Sequence, residues 1–156
     1  MTTLRRLVFA SCAAFSLGAP APAQITGVTV TAYGQPCNPL FGGPTMRVAL
    51  DSSLQQLSVL VVAPGGCCNT FLTARLLALG LGQATIPLPT APPCALLVSP
   101  DLVLFLPVSG GDTFTLPLPP GLQPLTLYGQ AAAMYFTTIG FSTDVALTAG
   151  AEIDLS

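Results

Sequence analysis

Few residues of this chain can do chemistry. It has no histidine and no lysine; its cations are Arg5, Arg6, Arg47 and Arg75. A hydroxyl or thiol nucleophile needs a neighbouring base, so Ser-His-Asp, Cys-His and Ser-Lys arrangements are excluded. A histidine-built zinc hydrolase centre is excluded as well. Two carboxylates in a cleft would suffice for glycoside hydrolysis, and the candidates are Asp51, Asp101, Asp112 and Asp144. Each falls at a turn or strand end, where aspartate serves turn chemistry. The expectation is no catalytic residue and no cofactor. Asp101 and Asp112 flank one hairpin and could offer oxygens to calcium; without an Asp-x-Asp spacing no metal site is assigned. Tyr33, Tyr128, Tyr135, Phe136 and Phe141 could stack on sugars, yet the chain has no tryptophan, and core or edge packing is the expected role. Gly65-Gly66 and Gly110-Gly111 read as turns, with no lysine or helix start to make a phosphate cradle.

The cysteines carry the strongest signal. Arg5 and Arg6, the apolar run Leu7 to Leu17 and the small residues Ala21-Pro22-Ala23 together read as a secretory signal peptide over residues 1–23. Cys12 stands too close to Arg6 to serve as a lipoprotein acceptor, and the apolar run is shorter than a bilayer span. Cleavage leaves Cys37, Cys67, Cys68 and Cys94. An even number in an exported chain points to two disulfides. A bond between adjacent Cys67 and Cys68 closes a strained ring, so the expected pairing joins Cys37 to one of the pair and Cys94 to the other. Each bridge would add roughly 3 kcal/mol. A four-thiolate zinc site is the rival, but adjacent cysteines chelate poorly.

Past residue 23 the charge is two arginines against six acids. No basic patch exists for nucleic acid or for an anionic membrane surface. Apolar residues make up 51% of the chain and charged ones 6%, the reverse of a disordered composition. So little charge leaves self-association or a cell-surface partner open. The expected location is secreted or cell surface, with no transmembrane span after cleavage.

The elements that must position these residues alternate with period two. Phe114, Leu116 and Leu118 share one face with Thr113 and Thr115 opposite, and Leu125 to Ala131 and Ile139 to Thr148 follow. Upstream runs are Ile25 to Tyr33, Thr45 to Asp51, and Gln56 to Ala63, the last expected to be buried on both faces. Cys94 to Val98 and Leu102 to Pro107 complete the set. Residues 69–81 fit either a helix capped by Asn69 or a strand from Arg75; the all-β surroundings favour the strand. Prolines 87, 89, 117, 119 and 120 suit edges or crossings. About eight short strands with regular turns predict one antiparallel β-sandwich of jelly-roll or Greek-key type over residues 24–150. Residues 151–156 form a tail expected to fray. An eight-stranded outer-membrane barrel is disfavoured by short runs, prolines and the lack of a closing aromatic girdle.

The order Cys94-Ala-Leu-Leu-Val-Ser-Pro-Asp101, Asp112-Thr-Phe-Thr-Leu-Pro-Leu-Pro, Leu125-Thr-Leu-Tyr-Gly-Gln130, and Phe141-Ser-Thr-Asp-Val-Ala-Leu-Thr-Ala-Gly150 resembles an uncharacterised secreted β-sandwich family common in planctomycete-type exported proteins. Ser142-Thr143-Asp144 departs from that family's Ser-Asn. The resemblance covers about Gly34 to Gly150 and implies a sandwich and export, with no activity to carry over. The expectation is an exported, non-catalytic structural or interaction module of unknown partner. The alternative is a carbohydrate- or calcium-binding cell-surface domain.

Overall fold

A computed structural model describes residues 24–37, 43–65, 69–89, 94–106, 108 and 113–156. The signal-peptide reading of residues 1–23, and Cys67, Cys68 and Asp112, fall outside the described residues. The described chain is all-β, with eleven strands: β1 (Val28–Tyr33), β2 (Thr45–Asp51), β3 (Gln56–Val62), β4 (Thr70–Gly80), β5 (Gln83–Pro87), β6 (Ala95–Val98), β7 (Leu102–Leu106), β8 (Thr113–Pro117), β9 (Leu125–Thr137), β10 (Ser142–Leu147) and β11 (Gly150–Leu155).

β9 is the axis. One of its edges pairs with β4; the other takes β11 along Leu125–Gly129 and β10 along Ala132–Thr137. The six-stranded sheet runs β1-β11-β9-β4-β7 with β10 attached to β9. Its order mixes strands from both ends of the chain, so it is no meander. Against its inner face lies a three-stranded sheet, β2-β3-β8. Leu57, Val59 and Val61 of β3 are fully buried there. They pack with Leu77, Ala131 and Ile153 from the larger sheet, which makes the sandwich core. Burial of these side chains supplies the main driving force.

Residues 69–81 resolve as the strand β4, with an irregularity between Leu72 and Ala74 that leaves Thr73 donating its hydroxyl to the Met134 carbonyl at 3.0 Å. Three expectations about the strands are corrected. β3 is buried on one face only: Leu60 is half-buried and Val62 is 42% exposed, because nothing described covers the outside of the small sheet. The run from Leu125 continues to Thr137 rather than stopping at Ala131. Residues 151–156 do not fray. β11 lies between β1 and β9, with Ala151, Ile153 and Leu155 in the core and Glu152 and Asp154 on the outer face.

A third layer crosses the outer face of the large sheet. The two-stranded ribbon β5–β6 lies there, with Pro87 at a sheet edge. Cys94 and Leu88 pack on Ala132 and Leu147. Cys37 is bonded to Cys94, with Cα atoms 5.3 Å apart. The expected pairing of each with the adjacent cysteines is therefore wrong. Cys37 exchanges backbone hydrogen bonds with Leu147 (3.0 and 2.6 Å), which sets it beside Cys94 on the same face.

Candidate functional site

The side chains above the outer face decide what that face can do. Gln130 is 2% exposed and latches the ribbon to the sheet. Its Oε1 accepts from the Leu97 N–H at 2.7 Å; its Nε2 donates to the Thr148 carbonyl at 2.8 Å and the Ala95 carbonyl at 3.5 Å. Both amide ends are thus occupied. Tyr33 holds the same ribbon residue, Leu97, through its carbonyl. Its ring stands edge-on to Tyr128 at 6.0 Å and its hydroxyl donates to the Leu97 carbonyl at 2.6 Å. Burial, with Tyr128 and Glu152 nearby, pushes the Tyr33 phenol above its ordinary value.

Beneath the ribbon lies a cavity of about 260 Å³. Leu76, Leu96, Val103, Met134 and Val145 are among its walls, and Gln130 is the polar residue there. Because that amide is already bonded to the ribbon and to Thr148, the cavity offers a guest mainly apolar surface. Its walls run on into open sheet. By register Phe71 and Phe136, Ala74 and Met134, Leu76 and Phe105 point to this side. Phe71 is 57% exposed, Phe105 76% and Phe141 81%. Phe141 leans on Phe136 at 6.4 Å. No charged residue stands on this half of the face among the described residues. The acids Glu152 and Asp154 occupy the opposite half, where Thr126 donates to Asp154 at 2.6 Å. Among the described residues nothing covers this apolar half of the face.

The sequence candidates are dispersed. Asp51 closes the β2–β3 turn; one of its oxygens accepts from the Ser53 hydroxyl (2.6 Å) and the N–H groups of Ser53 and Leu54 (3.0 and 3.1 Å). Asp101 accepts from the Leu81 N–H at 2.8 Å and the Ser99 hydroxyl at 3.0 Å. Asp144 sits on β10, paired with Tyr135. Each is a turn or strand residue on its own element, and no group of three or more metal-binding side chains forms among the described residues. The rings divide likewise. Tyr33 and Tyr128 lie by the ribbon, Phe136 and Phe141 by the β9–β10 hairpin, and Tyr135 is buried with its hydroxyl on the Pro64 carbonyl at 3.0 Å.

Sequence reasoning missed Gln130 as the latch and Arg75 as a core residue. Arg75 is 3% exposed and donates to the Val61 and Val108 carbonyls at 3.4 and 3.2 Å. Its parity with Leu77 and Leu79 was the available signal. No helix among the described residues is long and apolar enough to cross a membrane. Compared with known proteins, the chain matches no family model, no curated protein and no solved structure.

Proposed function

We propose that this chain is an exported, non-catalytic structural or interaction module that works through the outer face of its large sheet. The observation that carries the reading is the uncharged, uncovered half of that face, from Phe71 to Phe141, with the apolar cavity opening beside it. Export is supported by the signal-peptide pattern and by the Cys37–Cys94 disulfide, which persists in oxidising compartments. The non-catalytic reading rests on the absent bases and on Asp51 and Asp101 being engaged by neighbouring N–H and hydroxyl groups.

The test exports the wild-type chain and a Phe71→Ser/Phe141→Ser variant from the same cells and measures the fraction held at the cell surface. The wild type is expected to be retained and the variant released into the medium with its fold intact by circular dichroism. Equal retention would count against this face. A mature N-terminus at Gln24 is the accompanying sign of export.

A further inference from the structure

We infer that β7 pairs with the β7 strand of a second copy of this chain, antiparallel and centred on Leu104, so that the large sheet runs on through both molecules. The inference concerns a sheet edge, and the function proposed above concerns the outer face. Val103 lines the cavity and Phe105 stands on that face, so the two share side chains but are read out separately, by self-association and by surface retention.

Edges are guarded in one part of this molecule and open in another. The small sheet carries Arg47 and Asp51 on its edge strand β2 and Pro117 on its edge strand β8. The ribbon carries Pro87. Charges and prolines at edges are how sheets avoid pairing with other chains. β7 is also an edge strand, and its sequence Leu-Val-Leu-Phe-Leu has neither. Among the described residues no backbone hydrogen bond outside the β4 ladder reaches it.

The strand is also complementary to itself. Antiparallel pairing about Leu104 sets Leu102 opposite Leu106 of the second copy and Val103 opposite its Phe105. Paired residues keep the same face, so leucines meet leucines on the core side and valine meets phenylalanine outside. Aromatic and β-branched residues make favourable cross-strand pairs. Val103 and Phe105, 47% and 76% exposed, are the side chains such pairing would cover. A two-fold axis through Leu104 gives a closed dimer, whereas pairing β7 to β1 is a head-to-tail contact that builds rings or open filaments.

Sedimentation of the exported chain across a concentration series tests this. The wild type is expected to form a dimer, with amide exchange over Leu102–Leu106 slowing as concentration rises. Val103→Lys/Phe105→Lys faces lysine with lysine and should weaken the dimer more than about tenfold. Val103→Glu/Phe105→Lys places as many charges on the edge but pairs them by opposite sign, and should recover dimer. A wild type that stays monomeric with concentration-independent exchange overturns the inference. So does association that survives the lysine variant or is lost instead on Val30→Lys in β1. The exchange measurement needs no variant and decides the matter if a variant does not fold.

Discussion

Asp51 and Tyr33 show how single side chains hold the connections in place. Hydrogen bonds from Ser53 and Leu54 hold the Asp51 carboxyl below its ordinary value. A depressed folded value means the turn's contribution is present above the unfolded carboxylate value and fades as pH falls through the folded one. Asp51→Asn should therefore lower the melting temperature at neutral pH and narrow the gap to wild type in acid; a constant gap across pH would contradict this. Tyr33 runs the other way. Its raised value keeps the hydroxyl on the Leu97 carbonyl up to its ordinary value of 10.0. That contribution is lost as pH climbs through the raised value. Tyr33→Phe should be less stable than wild type at neutral pH, with the difference shrinking in strong alkali. The Tyr33 ring lies against Gly150, where a β-carbon would meet it. Gly150→Ala should cost about 1–3 kcal/mol in denaturant unfolding. These roles were only partly legible. Asp51 before Ser-Ser reads as a turn, whereas the approach of Tyr33 to Gly150 depends on β1 pairing with β11.

At the scale of elements, legibility followed alternation. β2 and β8 were readable because apolar and polar residues part cleanly along them. β9 reads as ending at Ala131 because Ala-Ala-Ala-Met lacks the β-branched residues that advertise a strand. Those alanines have a packing reason. Ala132 lies under the Cys94 and Leu147 cluster, and Ala131 and Ala133 face the core. β11 did alternate, as Ala-Glu-Ile-Asp-Leu, but acids at a terminus invite a frayed reading. Its inner residues decide the matter: Ile153→Ala should destabilise by roughly 2–5 kcal/mol, and a chain ending at Ala149 should not fold. A soluble, cooperative fold from that truncated chain, seen by circular dichroism, would show β11 to be dispensable.

Over the whole molecule, what escaped the sequence is what depends on distant strands meeting. Cys37 meets Cys94 because both stand on the β9–β10 surface, 57 residues apart along the chain. Nothing in the spacing of Cys37, Cys67, Cys68 and Cys94 reveals that surface. The candidate site escaped for the same reason, since its walls come from β4, β6, β7, β9 and β10. A loop of that length should make the disulfide worth about 4 kcal/mol. Cys37→Ser/Cys94→Ser should lose that much in denaturant unfolding, with amide exchange rising first in β5–β6, which the bond and Gln130 hold to the sheet. A uniform rise in exchange would contradict the layered arrangement.

The most direct measurement is hydroxyl-radical footprinting of the exported chain in its native setting against the purified protein. Phe71 and Phe141 should be protected in place and oxidised once purified, while Leu54, 64% exposed at the β2–β3 turn, reacts alike in both. Equal oxidation of the two phenylalanines in both settings would mean that the open apolar face meets no partner, and the account would fail.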